Sequence, residues 1–319
     1  MKKVITMLTL ITSLMFLPVT VKAANTGYAE VKTNKADYVV EYHIDDEETT
    51  INTPSNTCVI ESIIFKESSN EGFDIPRTLN VTVDDETYTC RITEIDSYVL
   101  TDNESSDYNV KIQGKLSFKN AKYCNMINAR AFNKVRNICF TTADLGNVKY
   151  VGQHAFSNNI NLTSVTMDKV EYIDDYAFTE CKNLQKVKML KVKYIGARAF
   201  AQNKKLKTVT FGGKTKVDKI SEYAFAYCNS LRTIKTITGL KSENRFPKIY
   251  WIGNNAFMNT NLRKIKLNCK RIDDFAFSNI PAIMFYNNSN KKSITSPNAF
   301  YGTQMPDNPK KNSELRKNK

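Results

Sequence analysis

The sequence predicts a right-handed solenoid in which each repeat adds one short parallel β-strand and a turn or short helical segment, with a β-rich cap at the N-terminal end. Three observations carry that prediction. An Ala-Phe signature recurs along most of the chain, a Leu follows it at a near-constant distance, and a strand-like triplet follows the Leu. The signature is an aliphatic residue, three residues, then Ala-Phe. It runs Val151…Ala155-Phe156, Ile173…Ala177-Phe178, Ile195…Ala199-Phe200, Ile220…Ala224-Phe225, Ile252…Ala256-Phe257 and Ile272…Ala276-Phe277. An earlier copy is Ile127…Ala131-Phe132, a late one with an extra residue is Ile294…Ala299-Phe300, and a weaker one is Ile95…Val99-Leu100. From Phe132 to Phe300 the Phe residues are spaced 24, 22, 22, 25, 32, 20 and 23 apart. A fixed period in that range marks stacked repeats, each too small to bury its apolar face alone.

Read from its start, the chain opens with Lys2 and Lys3, a mostly apolar run from Val4 to Leu17, and Val21-Lys22-Ala23. That order is a secretory leader cleaved after Ala23, and its apolar run is too short to span a bilayer. No later stretch is long and apolar enough to do so, so no integral membrane segment or anchor is expected. Residues 24–90 are polar, rich in Thr and Asp and strand-like, and are expected to form the cap. The solenoid is expected over 91–302, in about eight or nine repeats. Residues 303–319, with Lys310, Lys311, Arg316, Lys317 and Lys319, read as a basic disordered tail.

Within a repeat, each column has a physical reading. After the Leu (Leu162, Leu184, Leu206, Leu231, Leu262) comes an aliphatic-x-apolar triplet such as Val165-Thr-Met167, Val187-Lys-Met189 or Val209-Thr-Phe211. Alternation of this kind is a strand with one buried face. The residue after the signature aliphatic is Gly152, Asp174, Gly196, Ser221, Gly253 or Asp273. Gly tolerates tight backbone angles and Asp or Ser can cap a helical turn, so a reversal into a short helical turn carrying Ala-Phe inward is expected. Three residues after Phe stand Asn159, Cys181, Asn203, Cys228, Thr260 and Ile280. Buried there, such side chains satisfy backbone groups where the coil turns.

The run Cys181-x-x-Leu184-x-x-Val187-x-Met189, followed by Ile195-Gly-x-x-Ala199-Phe200, resembles the BspA-like leucine-rich-repeat family, with treponemal-type repeats of about 23 residues. The resemblance covers roughly Ile92 to Phe300. The segment Ile75-Pro76, the Asp84-Asp85 turn, Tyr88 and Ile92 resembles the hairpin that opens such arrays. The family's common proline after the strand is absent from the best copies, where Asp168, Leu190 and Gly212 stand. The resemblance implies a secreted or cell-surface protein engaged in adhesion to host, matrix or microbial ligands.

Seven cysteines occur, all after the leader, in no C-x-x-C spacing, so a zinc site is not expected. Cys181 and Cys228 lie two repeats apart, too far to bridge, and read as buried free thiols. Cys58–Cys90 and Cys124–Cys139 are pairings suggested by chain proximity alone. Cys139, placed just after Ile138 in the outward strand column, is the competing candidate for an accessible thiol.

The formal charge is +14, and the leader holds three lysines and no acid, which leaves +11 for the rest. That favours acidic partners without choosing among them. The outward strand positions form a surface of Ser164, Thr166, Lys186, Lys188, Thr208, Thr210, Thr233, Lys235, Lys264 and Lys266. Solenoids use such faces to bind extended partners, although a lysine-rich face also serves plain solubility. A second column, Tyr150, Tyr172, Tyr194, Lys219, Trp251 and Arg271, precedes the signature aliphatic. Spaced aromatics can stack on sugars, but more often they pack on each other beneath a cation.

Catalytic chemistry finds no purchase. Asp174-Asp175 and Asp273-Asp274 sit at matching positions of different repeats, whereas glycosidase chemistry needs two carboxylates converging on one cleft. Only His43 and His154 are present, neither in a triad-like setting. Export and the lack of a recognition motif argue against nucleic acid. The expectation is a secreted or surface binding scaffold without catalytic residues, metal or cofactor, whose partner is an extracellular protein or an acidic glycan. A self-assembling envelope component is the alternative.

Overall fold

The computed structural model describes residues 26–44, 57–83, 86–100, 111–133, 138–238, 241–243, 245–281, 284–287 and 294–303. The expected leader, the Asp84-Asp85 turn and the basic tail beyond Thr303 lie outside them. Six strands make the N-terminal part: β1 (Thr26–Val31), β2 (Tyr38–Ile44), β3 (Thr57–Phe65), β4 (Gly72–Asp74), β5 (Thr78–Val83) and β6 (Glu86–Ile95). β1, β2 and β3 pair antiparallel in that order. β5 and β6 form the expected hairpin, with Val83 opposite Glu86. No clean break separates cap from solenoid, because β3 and β6 already run parallel and β4 lies parallel to the first solenoid strand.

With β7 (Ile112–Ser117) and β9 (Ile138–Asp144), the predicted triplets at Val165, Val187, Val209 and Ile234 form β11 (Ser164–Met167), β13 (Lys186–Met189), β15 (Thr208–Gly212) and β17 (Thr233–Thr238), stacked in parallel in a first sheet; the predicted triplet at Ile265 is a strand outside it. One strand per repeat is an undercount. The residue pairs at the start of the signature form a second parallel ladder: β8 (Met126–Ile127), β10 (Tyr150–Val151), β12 (Tyr172–Ile173) and β14 (Tyr194–Ile195), then β16 (Lys216–Ile220). β18 (Lys241–Glu243) interrupts the first sheet, while β19 (Lys248–Ile252) and the long β20 (Lys264–Ile272) continue the second. β20 pairs along its first half with β21 (Met284–Asn287) and along its second with β22 (Ile294–Thr295). A two-residue strand is too short to show alternation in sequence; only pairing with its neighbours reveals it.

No short helical turn carries Ala-Phe inward; among the described residues there is no helix. The segment is instead a third intercoil ladder. Phe156, Phe178, Phe200 and Phe225 donate their N–H to the Ala carbonyl of the following coil at 2.7–2.8 Å. His154 N–H reaches Asp175 O at 3.1 Å and Asn158 N–H reaches Thr179 O at 2.9 Å. The N–H groups between them turn back within the coil, as Ala155 to Gly152 O at 3.1 Å and Ser157 to His154 O at 3.0 Å. An α-helix would spend every N–H on its own i−4 carbonyl and leave the coils unlinked.

That alternation requires two left-handed residues per coil. They fall in two columns: the residue before Ala (His154, Tyr176, Arg198, Tyr223, Asn255, Phe275) and the second after Phe (Asn158, Glu180, Gln202, Tyr227, Asn259, Asn279), all at φ between 52° and 62°. For a residue bearing a Cβ this costs about 1–2 kcal/mol. Gln202→Gly is therefore expected to raise stability by about 0.5–1 kcal/mol, and Gln202→Val to lower it. Urea unfolding of both variants checks this; a glycine variant less stable than the parent would remove backbone strain from the account.

Glycine at the reversal serves close approach, not unusual angles. A Cβ on Gly196 would lie 2.5 Å from the Asp174 carbonyl carbon of the preceding coil, and one on Gly152 would lie 2.7 Å from Ala129 N. Inside, the Phe rings form a continuous spine from Phe132 to Phe300. Successive centroids are 5.0–5.3 Å apart, and from Phe156 onward the rings are within 7° of parallel. The spacing follows the rise between paired strands, about 4.8 Å.

Candidate functional site

Buried Val165, Val187, Val209 and Ile234 fix which face of the first sheet turns outward. Opposite them, two rows run in register across β11, β13, β15 and β17: Ser164–Lys186–Thr208–Thr233 and Thr166–Lys188–Thr210–Lys235. Eight of the ten predicted residues thus share one flat surface. Lys264 and Lys266 do not join it. They lie on β20, paired with β21, while the insert folds back as β18, antiparallel on the free edge of β17. Repeat counting could not anticipate this, because the 32-residue step hides a strand that ends the row.

The row is also less basic than its lysines imply. Lys188 pairs with Asp168 at 3.0 Å, and Asp144, which aligns with Thr166, pairs with Lys115 at 3.3 Å. Among the described residues Lys186 and Lys235 have no carboxylate partner, and they supply the unneutralised charge. The same register corrects Cys139. The residue level with Thr166 is Asp144, not Cys139, which lies opposite Gln113 near the start of β9, partly exposed.

None of the seven cysteines is in a disulfide. Cys90 shares a hydrogen bond with Cys58, unbridged, and Cys124 donates to the Met126 carbonyl at 3.6 Å, so neither suggested pairing is present as a disulfide. The Asn/Cys column behaves as expected. Asn159 Nδ2 donates to Phe132 O at 2.7 Å and Phe156 O at 2.9 Å, and Asn203 Nδ2 to Phe178 O and Phe200 O, both at 2.9 Å. Cys181 and Cys228 each send Sγ to the preceding coil's Phe carbonyl at 3.1 Å. Burial pushes both thiols up to about 12, which makes them inert structural donors at neutral pH.

The aromatic column is a ladder of the structural kind. Lys219 lies 5.9 Å from the Tyr194 ring and 4.3 Å from Trp251, with Arg271 4.6 Å over the same indole. Its polar tips are tied to the Asp column: Tyr150 OH to Asp174 Oδ2 at 2.6 Å and Trp251 Nε1 to Asp273 Oδ2 at 2.7 Å. Those carboxylates, with Asp175 accepting Ala197 N–H at 2.6 Å, join coil to coil and converge on no cleft. Tyr150 and Trp251 are thus engaged within the ladder, whereas Tyr172, 6.5 Å from the Tyr194 ring, stays exposed.

A concave surface lies elsewhere, on the turn edge between the two left-handed columns, as a groove of about 640 Å³. Its signal was present in the sequence as Tyr98, Arg130, His154, Tyr176, Arg198 and Tyr223, one per repeat before the small-residue step. These positions read as variable, because nothing local says that they stack.

The description "BspA type Leucine rich repeat region" belongs to the sequence family that matches this chain, in six copies over residues 108–232 and 215–308. Among solved structures, the chain is similar to the pneumococcal vaccine antigen PcpA at 14% identity. The match covers 91% of this chain and 96% of that one, with a TM-score of 0.30. A leucine-rich repeat protein from Eubacterium ventriosum is similar at 14% identity, covering 89% and 97%, with a TM-score of 0.24. No curated protein matches. No helix among the described residues is long and apolar enough to cross a membrane.

Proposed function

This chain belongs to the BspA type leucine-rich repeat family, and from that premise we propose that it is an exported, non-enzymatic adhesion scaffold that holds an acidic extracellular partner on the first sheet. The observation that carries the reading is the in-register row of Lys186, Lys188 and Lys235 set among Ser164, Thr166, Thr208, Thr210 and Thr233. Its backbone is held rigid by ladders on both sides, so a partner docks without ordering the surface first. The face is flat and hydroxyl-rich, which suits the acidic surface of a host, matrix or microbial protein. Residues 1–23 supply the export signal in this reading, and 303–319 a basic extension that adds to long-range attraction.

The test is a binding screen of the protein against extracellular-matrix proteins at low and high salt. The triple variant Lys186→Ser, Lys188→Ser, Lys235→Ser is expected to weaken a hit by roughly tenfold or more, about 1.4 kcal/mol, and to flatten its salt dependence. The pair Lys264→Ser, Lys266→Ser is expected to leave it within about twofold, since those residues are off the row. Equal losses in both variants would reduce the effect to net charge. No hit at all would favour the self-assembling envelope component, which sedimentation at rising concentration would detect.

A further inference from the structure

We propose that the turn-edge groove is a second binding site, for a linear carboxylate-bearing polysaccharide. It stands apart from the strand-face reading and does not depend on it. The groove crosses successive coils from Tyr98 to Tyr227, as a chain-like ligand requires. Its floor is the column directly after Phe, small in the central coils: Ser157, Thr179, Ala201 and Ala226. In the next coil Met258 takes that position, and Met258 is not among the groove's lining residues.

One wall is a column of rings with Arg130 and Arg198 set against them. Arg130 lies 5.7 Å over Tyr98, whose hydroxyl it also bonds. His154 stacks on Tyr176 at 4.8 Å and 10°, and Arg198 is sandwiched 5.7 Å from Tyr176 and 4.8 Å from Tyr223. The ring contacts and hydroxyl bonds restrain each guanidinium, with Arg198 Nη1 anchored on Tyr176 OH at 2.8 Å. A planar fork held this way suits a carboxylate, which it can meet with two parallel N–H donors. The facing wall offers the amides of Asn158 and Gln202 and the phenol of Tyr227, which match a ligand rich in hydroxyls. Glu180 is the lone carboxylate in the lining, against Arg130 and Arg198, so the groove is net positive.

The backbone argues against an extended peptide. Peptides that add to a protein edge need open main-chain donors. Here Asn158, Glu180, Gln202 and Tyr227 have each spent their N–H on the next coil, at 2.9–3.0 Å. A small-residue floor also lacks the apolar pockets that would seat peptide side chains. A polysaccharide needs neither, since side chains alone can serve its hydroxyls and carboxylates.

The experiment is calorimetric titration of the full chain with oligogalacturonate, with neutral cello-oligosaccharide and poly-glutamate as the other arms. Oligogalacturonate is expected to bind and cello-oligosaccharide is not, while any poly-glutamate binding is expected to be lost in the strand-face triple lysine variant. Arg198→Gln should weaken it roughly tenfold, the loss of one charge-assisted contact. Thr179→Met, which copies Met258 at the same position three coils on and so fits the backbone, should abolish it. The strand-face triple lysine variant should change it less than twofold, which keeps the two sites distinguishable. Thermal unfolding of each variant confirms that the fold persists. Absence of oligogalacturonate binding overturns the proposal, as does binding untouched by both groove variants or equal binding of poly-glutamate by the strand-face triple lysine variant.

Discussion

Replacing Phe200 by alanine is expected to destabilise the protein by about 3–5 kcal/mol, the range for removing a large buried aromatic side chain. The ring is fully buried and stacked on both sides, 5.2 Å from Phe178 and 5.1 Å from Phe225. Truncation removes both contacts and opens a cavity that hydrogen-bond ladders in all three faces of the coil prevent from collapsing. Because coils touch only their neighbours, the loss falls at one interface. Unfolding is expected to split into two transitions, one for each side of the lesion. Phe300→Ala should cost much less, since Phe300, which stacks on Phe277 at 5.3 Å, is only partly buried. Chemical denaturation followed by circular dichroism and calorimetry checks both. A Phe200→Ala cost below about 1 kcal/mol would remove the spine from its central place.

Asn203→Ala is expected to cost about 2–3 kcal/mol, and Asn203→Cys less than half of that. Asn203 is fully buried, and its amide donates to Phe178 O in the preceding coil and Phe200 O in its own. Phe200 O keeps a second donor in Cys228 Sγ, but alanine leaves Phe178 O without its side-chain partner. Cysteine is the coil's own alternative, because Cys181 already serves Phe156 O in the same column. It also deletes Asn203 Oδ1, a buried acceptor without a partner among the described residues. Equal losses for Ala and Cys in urea unfolding would mean that the column fills space and bonds nothing.

The two variants bear on different kinds of legibility. Phe200 was readable because its column recurs with nearly constant spacing, and apolar periodicity is the strongest local signal of a buried face. The Asn203–Cys228 column was readable for a related reason: polar residues able to donate recur where a coil must bury a turn. Lys264 and Lys266 show the limit. They match their column in sequence, but the backfolded β18 takes the edge they were expected to share. Asp144 shows another, since a strand irregularity between Gly114 and Lys115 shifts the register by which its column is counted.

The candidate surfaces follow the same division. Alternation placed Ser164 through Lys235 on one outward face, since a strand's period of two permits no other arrangement once Val165 and its equivalents are buried. The pairing of Lys188 with Asp168 and of Asp144 with Lys115 lies outside that pattern, because those partners stand in different coils. The groove was invisible for the same reason. Tyr176 and Arg198 are unremarkable apart, and only stacking of successive coils sets them face to face.

By itself the sequence determined the repeat, the buried spine, the donor column and the outward face, all properties of one coil repeated. The tertiary structure decided the second strand ladder, the left-handed turns, the end of the lysine row and the groove. Those depend on where the N–H and C=O groups of one coil meet the next, a relation between segments some 22 residues apart that no local pattern of apolar residues encodes.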